Sequence, residues 1–344
     1  MIYQNAARVV DRCAAAGISV TGVTKGVSGR EMIVRAMAEA GCAEIGDSRM
    51  SDLEFIRTLD LGIPLLLLRI PMPSELPRVV KTADRTLVSM PETVSLIDKE
   101  CSIADCTHEV IVMIDLGDLR EGIWMENVEE MVDHLKRTER VRCAGVGSNF
   151  GCFGGALPAP EKLELLASLG TKLESSLGYP LEVCSGGSTS SLKLVEQGAV
   201  PKGINNLRVG EGILLGVDVT GDRAVPWLNQ HTMRLEAEVI EVYRKPSVPV
   251  GPLGLNAFGK EPVFDDRGER LRAILAVGRQ DVLIDGLEPE ASGARILGGS
   301  SDHMIVDVED VHPRVKLGDV MHFFPDYGAM LALSTSPFVL FDVV

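Results

Sequence analysis

The run Ile18-Ser19-Val20-Thr21-Gly22-Val23-Thr24-Lys25-Gly26 carries a single charge, Lys25, near the end of an otherwise apolar or neutral stretch. Its Val, Ile and Thr content predicts a buried β-strand. Gly26, Ser28 and Gly29 mark the break where that strand feeds a loop. A lysine at the carboxyl end of such a strand is expensive to bury as a cation, so burial lowers its pKa. The neutral amine that results is what attack on a carbonyl and Schiff-base formation require. The same residue also reads as an ordinary strand-end lysine reaching solvent, and the segments around it decide between the two.

Outward from this strand, the first two-thirds of the chain alternate strand and helix patterns. Helices are predicted over 4–16, 31–40, 51–59, 91–100, 128–137, 159–176 and 191–198. Strands fall near 19–24, 43–46, 64–69, 85–88, 109–115, 142–147, 181–184 and 206–209. Eight strands interleaved with helices is the count of an α/β fold of the (β/α)8 TIM-like barrel type. A doubly wound sheet fits less well, because no GxGxxG follows an early strand. Beyond about residue 217 the texture changes to short strands at 235–243, 271–277, 294–297, 304–308 and 320–324, separated by Gly, Pro and Asp turns and without a clear helix. The expected division is a barrel over 1–221 and a C-terminal all-β domain over 222–344.

Composition bounds the function. A net charge of −15 argues against a nucleic-acid surface, which needs clustered Lys and Arg. The apolar stretch 64–70 is short and contains Arg69, so it reads as a core strand and no membrane span is expected. With no secretory leader ahead of the first helix, the chain reads as cytoplasmic. Seven cysteines without a CxxC pair imply reduced thiols, and six histidines without ligand spacing imply no metal.

In such a barrel the active groups sit on the loops at the carboxyl ends of the strands. Polar motifs land there repeatedly: Lys25, Gly46-Asp47-Ser48-Arg49, Arg69, Asp115 to Gly122, Ser148-Asn149, Ser185 to Ser190, and Arg208-Val209-Gly210-Glu211-Gly212. The Gly/Ser/Thr loop Ser185–Ser191 enters a helix, which suits either a phosphate seat or plain N-capping. Gly210-Glu211-Gly212 after the last strand shifts the balance toward phosphate. Arg208 reads as a ligand contact or as half of an ion pair, and the loop bearing Asp115, Asp118, Arg120 and Glu121 as a binding loop or a solvated turn. Arg69, at the end of a leucine run, needs a carboxylate or phosphate partner. In the β domain, Gly299 to His303 interrupts two strands, and Pro325-Asp326-Tyr327-Gly328 reads as a tight turn presenting Tyr327.

Taken in order, these motifs resemble the fold-type III pyridoxal-phosphate enzymes of the alanine racemase superfamily, and within it the ornithine racemase group. The resemblance rests on Val23-Thr24-Lys25, Gly46-Asp47-Ser48-Arg49, Leu68 to Met72, Asp115 to Gly122 and Asn206 to Glu211. It continues through Ala257-Phe258-Gly259-Lys260, Gly278-Arg279-Gln280-Asp281, Ser300 to His303, Asp326-Tyr327-Gly328 and Thr335 to Phe338. It implies pyridoxal 5'-phosphate as cofactor and a head-to-tail homodimer in which each β domain completes the partner's active site. Lys25 matches the lysine that forms the internal aldimine, and Arg208 the arginine facing the pyridine nitrogen. Arg120 matches the arginine that helps place ligand carboxylate and cofactor oxygens. Ser188, Thr189 and Ser190 match the phosphate loop, with Gly210 and Glu211 supplying backbone N–H groups. Asn149 falls where alanine racemases usually carry a histidine under the ring.

One departure bears on mechanism. Alanine racemases place Gly-Tyr-Ala-Asp where this chain has Gly278-Arg279-Gln280-Asp281, and an arginine is a poor base. Arg279 then suits a substrate carboxylate, and the second base is sought among Asp302, His303 and Tyr327. A second departure is that the superfamily opens with a strand ahead of the first helix, whereas this sequence begins at Met1 within that helix. The resemblance implies racemisation of a basic amino acid, ornithine first, with Asp118 beside Arg120 as a candidate grip for the cationic side chain. Alternatives are an alanine or broad-specificity racemase, a decarboxylase on the same scaffold, or a non-catalytic cofactor-binding protein. The elaborated β domain argues against the last.

Overall fold

A computed structural model describes residues 1–343, and the chain divides into two compact units, Met1–Thr232 and Met233–Val344. In the first unit the barrel strands are β1 (Ser19–Val23), β2 (Glu44–Asp47), β3 (Leu65–Leu67), β4 (Arg85–Val88), β5 (His108–Asp115), β6 (Val141–Gly147), β7 (Val183–Ser185) and β8 (Asn206–Val209). Each pairs in parallel with the next, and β8 pairs in parallel with β1, so the sheet closes into an eight-stranded barrel. The helices of this unit are α1 (Ile2–Ala14), α2 (Glu31–Glu39), α3 (Met50–Thr58), α4 (Leu76–Thr82), α5 (Pro91–Ala104), α6 (Val128–Leu135), α7 (Pro160–Leu177), α8 (Leu192–Glu196) and α9 (Glu211–Leu215).

Local sequence explains these elements. In α1 the buried positions Asn5, Ala6, Val9 and Cys13 recur at helical spacing. Proline opens α5 and α7, where its missing N–H would be unpaired anyway. Gly178, at φ +81°, stops α7 in the left-handed conformation that favours glycine. Residues alternate along the strands between two buried environments. Val110, Val112 and Ile114 face the helices, in one cluster with Val94, Ile97 and Leu166. Leu66, Leu87, Ile111 and Met113 form a separate cluster on the inner face.

The amino-terminal mouth of the barrel is polar. Arg85 meets Glu109 at 2.7 Å, Glu182 at 2.8 Å and Glu44 at 3.7 Å, and Arg142 meets Glu182 at 2.7 Å and Glu109 at 3.3 Å.

The segment after β8 stays with the barrel. Asn5 Nδ2 donates to the carbonyls of Ile213 at 3.1 Å and Asn229 at 2.9 Å, and Asn5 Oδ1 accepts the Asn229 N–H at 2.7 Å. Arg223 and Trp227 both donate to Glu196 in the loop end of α8. The border expected at 221/222 lies inside the short hairpin Val217–Asp218/Arg223–Ala224, and the compact unit runs on to Thr232 because these side chains stitch the hairpin and its sequel to α1 and α8.

The second unit is a six-stranded antiparallel sheet. Its strands are β9 (Leu235–Pro246), β10 (Glu269–Leu275), β11 (Leu287–Pro289), β12 (Arg295–Gly299), β13 (Met304–Asp307) and β14 (Val320–Pro325), in the order β11-β14-β9-β10-β13-β12. Its core gathers Val239, Leu275, Met304, Val306 and Phe323. The expected absence of a helix is corrected here: α10 (Tyr327–Thr335) follows β14 directly. Asp326 caps it, accepting the Ala329 N–H at 2.7 Å, so the expected tight turn at 325–328 is the helix's first turn. The run Ala329-Met330-Leu331-Ala332-Leu333 is apolar on all sides and so shows little helical periodicity in the sequence.

Closure depends on a glycine in β6. A Cβ on Gly145 would stand 2.1 Å from the Val183 carbonyl oxygen of β7. Gly145→Ala is expected to push β7 off the barrel and lower stability by about 1–3 kcal/mol or more, read by urea-induced unfolding.

Candidate active site

Lys25 opens a single 3-10 turn, Lys25–Val27, directly beyond β1. The turn is held from β2: Thr24 Oγ1 donates to Asp47 Oδ2 at 2.7 Å, and Thr24 N–H to the Gly46 carbonyl at 3.0 Å. Asp47 Oδ1 accepts the N–H groups of Ser48 and Arg49 at 2.6 and 3.1 Å. Burial pushes the Asp47 carboxyl up to about 6 against these bonds. Burial also lowers the Lys25 amine from its ordinary range, and the guanidinium groups of Arg120 and Arg208 lower it further. The carboxyl end of β1 therefore presents an amine biased toward its neutral form.

Arg208, in β8, is 5% exposed and donates to neutral oxygens: Ser185 Oγ, the Ser148 carbonyl at 2.8 Å and Asn149 Oδ1 at 3.1 Å. Burial lowers its pKa to about 10. Asn149 passes the contact on, its Nδ2 donating to Glu121 Oε1 at 3.0 Å, and Glu121 Oε1 also accepts from Arg120 Nη2 at 2.6 Å. Lys25, Arg120, Asn149 and Arg208, which lie far apart in sequence, thus share one neighbourhood at the carboxyl ends of β1, β5, β6 and β8. Glu121 joins them.

Asp118 takes another part. It is buried, and its two oxygens accept the N–H groups of Cys152, Phe153 and Ala156 at 3.1–3.3 Å. Asp115 Oδ1 likewise accepts from Gly117, Asp118 and Leu119 at 2.8–3.2 Å. Both acids spend their lone pairs on backbone: Asp115 winds its own loop, and Asp118 clasps that loop to the 149–156 loop. The two acids of this loop are buried and internally bonded, while Leu119 and Arg120, which lie between them and Glu121, are exposed. Arg69 finds the carboxylate partner expected for it, Glu75 at 3.1 Å.

The Gly/Ser/Thr loop forms the turn Thr189–Ser191 before α8. Thr189 Oγ1 accepts the Gly212 N–H at 3.0 Å, which joins this loop to the Gly210-Glu211-Gly212 segment after β8. A Cβ on Gly210 would stand 3.1 Å from the Val23 carbonyl, so the ends of β8 and β1 approach closely there. Ser188, Thr189, Ser190, Gly210 and Glu211 therefore lie on two adjoining loops. The buried hydroxyls of Ser190 and Ser148 have no hydrogen-bond partner among the described residues.

The remaining candidates lie in the second unit and share one corner of it. Arg279 N–H donates to the Ser300 carbonyl at 3.0 Å, and a Cβ on Gly278 would collide with the backbone of Asp302. His303 Nδ1 lies 3.0 Å from Asp302 Oδ1, and both are exposed. The Arg279 guanidinium meets the Gly299 carbonyl at 3.3 Å, Asp285 at 3.7 Å and the face of Phe258 at 5.3 Å. Tyr327 begins α10, whose cap Asp326 donates its N–H to the Gly286 carbonyl at 2.8 Å. Ser336 Oγ donates to Asp281 at 2.7 Å. The motifs at 278–281, 300–303, 326–328 and 335–338 thus pack together.

The family described as alanine racemase, N-terminal domain, matches residues 1–216. A lysine racemase of Thermotoga maritima is 42% identical over 98% of this chain and 94% of its own length. The chain belongs to the alanine racemase superfamily. An ornithine racemase of Acetoanaerobium sticklandii is 36% identical, with 98% of this chain and 96% of that protein covered. The alanine racemase of a D-cycloserine-producing Streptomyces lavendulae superposes with a TM-score of 0.72 over 94% of this chain and 84% of that one; at 19% identity this speaks to the fold alone. This racemase is a fold-type III, pyridoxal-phosphate-dependent enzyme.

The residues present suit that cofactor. The amine of Lys25 is biased toward neutrality, the Arg208 guanidinium has neutral partners, and orphaned hydroxyls of Ser148 and Ser190 sit beside glycine-lined backbone. Glu121, read with Asp118 as part of the acidic loop beside Arg120, bonds Arg120 and Asn149, and Ser185, read as the start of the Gly/Ser/Thr loop, accepts from Arg208. Among the racemase's thiols, burial pushes Cys13, Cys42, Cys101, Cys143 and Cys184 up to about 12, while Cys152 on the clasped loop is exposed.

Asp118→Asn replaces an all-acceptor group by one whose amide nitrogen faces backbone N–H groups. It is expected to cost about 1–3 kcal/mol of local stability and to open the 149–156 loop, seen as new cleavage there in limited proteolysis followed by mass spectrometry.

Proposed function

We propose that this racemase interconverts the L and D forms of a basic amino acid, ornithine in the first place and lysine in the second. The observation that carries the reading is the pair of relatives, named for lysine and for ornithine, that align with this chain over nearly its whole length. The two amino acids differ by one methylene, and a hydrophobic methylene discriminates by about 1–3 kcal/mol. A preference within the class is therefore a matter of degree, whereas alanine lacks the distal amine altogether.

Bound pyridoxal phosphate would supply an electron sink that acidifies the α C–H bond of the amino acid. Lys25 would hold the group covalently through Nζ and, once displaced by the substrate amine, take or return the α-proton on one face. Its lowered pKa suits both tasks. Arg208 would face the pyridine nitrogen, where a fixed cation keeps that nitrogen unprotonated and favours simple proton return. Ser188, Thr189 and Ser190, with backbone of Gly210 and Glu211, would hold the phosphate. Arg120, oriented by Glu121, and Asn149 would line the ring and carboxylate. Asp118 supports Arg120 and its loop rather than gripping the distal amine, since its oxygens are occupied.

The opposite face would be served by a second copy of the chain in a head-to-tail homodimer, through Tyr327, His303 or Asp302, with Arg279 on the substrate carboxylate. The support is the gathering of these motifs in one corner of the β unit. His303 and Asp302 hydrogen-bond each other, so one base would work in concert with the other.

Borohydride reduction of the holoenzyme and peptide mapping should find the pyridoxyl label on Lys25 alone; label on another lysine overturns the site. Lys25→Ala should lose the cofactor's bound absorbance and all racemisation. Because its folded pKa is depressed, the Lys25 amine stays neutral to lower pH than an ordinary lysine, and the initial rate of cofactor capture should persist there before falling with acid. A panel of L-amino acids assayed for D-product tests the substrate. D-product from ornithine or lysine well above alanine supports the basic class, and preference for alanine refutes it.

A further inference from the structure

Arg208 poses a problem of charge. A buried guanidinium ordinarily demands a carboxylate, yet its hydrogen bonds at the site go to neutral oxygens. Followed inward, those bonds form a line. Arg208 Nη1 donates to Ser185 Oγ, Ser185 Oγ donates to Asn206 Oδ1 at 2.6 Å, Asn206 Nδ2 donates to Thr21 Oγ1 at 3.0 Å, and Thr21 Oγ1 donates to Glu44 Oε2 at 3.0 Å. Every donor points the same way, from the cation at the catalytic end toward a carboxyl near the opposite mouth. All five residues are buried.

The strand registers make this line continuous. Thr21 pairs with Arg208 and with Glu44 across the β8–β1 and β1–β2 ladders, and Ser185 pairs with Asn206 across β7–β8. Alternate residues of a strand face the same side, so Asn206 and Arg208, like Ser19 and Thr21, turn inward together. Bonds aligned head to tail polarise one another in a low dielectric. Glu44 Oε2 closes the line, and Oε1, without a hydrogen bond, lies 3.7 Å from Arg85.

We propose that Glu44 is a positioning residue for the reaction: through Thr21, Asn206 and Ser185 it compensates and aims the Arg208 guanidinium, although it lies at the far end of the barrel interior. This rests on the placement of Arg208 beside the cofactor given above. The relay fixes which way each hydroxyl and amide points, and so leaves Arg208 Nη2 committed to the Ser148 carbonyl and Asn149 rather than free to swing. Removing either the hydroxyl at 21 or the acid at 44 should have the same consequence, because each breaks one line.

The test measures pyridoxal-phosphate affinity of the apo-protein, kcat and KM of the holoenzyme, and the thermal midpoint. Glu44→Gln and Thr21→Val should each weaken cofactor affinity and lower kcat by roughly tenfold with KM little changed. The double variant should be no worse than either alone, and Thr21→Ser, which restores the hydroxyl, should recover both readouts. Arg142→Gln at the polar mouth, outside the line, should leave them unchanged. The proposal is overturned if Thr21→Val and Glu44→Gln keep wild-type affinity and kcat, if their losses add, or if Thr21→Ser loses as much as Thr21→Val. Should Glu44→Gln fail to fold, the Thr21→Val and Thr21→Ser pair decides alone. Arg208→Lys separates the two layers: if it too keeps full affinity and kcat, the placement of Arg208 is at fault, and if it fails while the relay variants do not, only the relay is.

Discussion

The pairing of β8 with β1 is the constraint on which the rest of this molecule depends. Ser19–Val23 lies in register with Asn206 to Val209, and that ladder turns an open parallel sheet into a closed barrel. It brings an amine from near the start of the chain beside a guanidinium from near the end of the first unit. Without it, Lys25 would lie at a free sheet edge, and Thr21 would have no contact with Asn206. The close approach of Gly210 to Val23 and the bond from Gly212 to Thr189 extend the same closure into the loops above.

The closed interior also explains why so many polar groups are affordable in a core. Inward-facing Thr21, Asn206, Ser185 and Glu44 satisfy one another rather than water, and apolar Leu66, Leu87, Ile111 and Met113 fill the adjoining volume. At the top of the barrel, two acids of one loop are consumed in backbone bonding. That bonding gives internal structure to what the sequence reads as a binding loop or a solvated turn, and Arg120 bonds Glu121 on the same loop.

The barrel was legible because each strand is a short apolar run bounded by turn residues, and all eight strands appear within a few residues of their expected bounds. The helices α4 and α9 were not foreseen: α4 is only seven residues and contains Pro77, and α9 follows a Gly-Glu-Gly segment that reads as loop. Helix α10 was hidden by its uniform apolarity, and the extent of the barrel unit by Asn5, whose partners lie more than two hundred residues away. Lys25, Arg120, Asn149 and Arg208 stood out by motif order, and the fold brings them together at one end of the barrel. The backbone bonds of Asp118 were not legible, because they exist only once the 149–156 loop folds against it. Glu44, Thr21 and Asn206 stayed silent for a related reason: a polar residue inside a parallel strand announces nothing until the register shows what it faces.

The distribution of charge has a kinetic consequence. The chain carries a net charge of −15, yet the carboxylates nearest the catalytic end are bound to backbone or to Arg120, leaving the buried Arg208 guanidinium to set the local potential. An anionic phosphate ester thus approaches a repulsive body to reach an attractive mouth. Counter-ions screen the long-range repulsion over about 10 Å at 0.1 M salt and act less on the recessed guanidinium. Moderate ionic strength should therefore speed capture of the phosphate, the reverse of what surface cations would do.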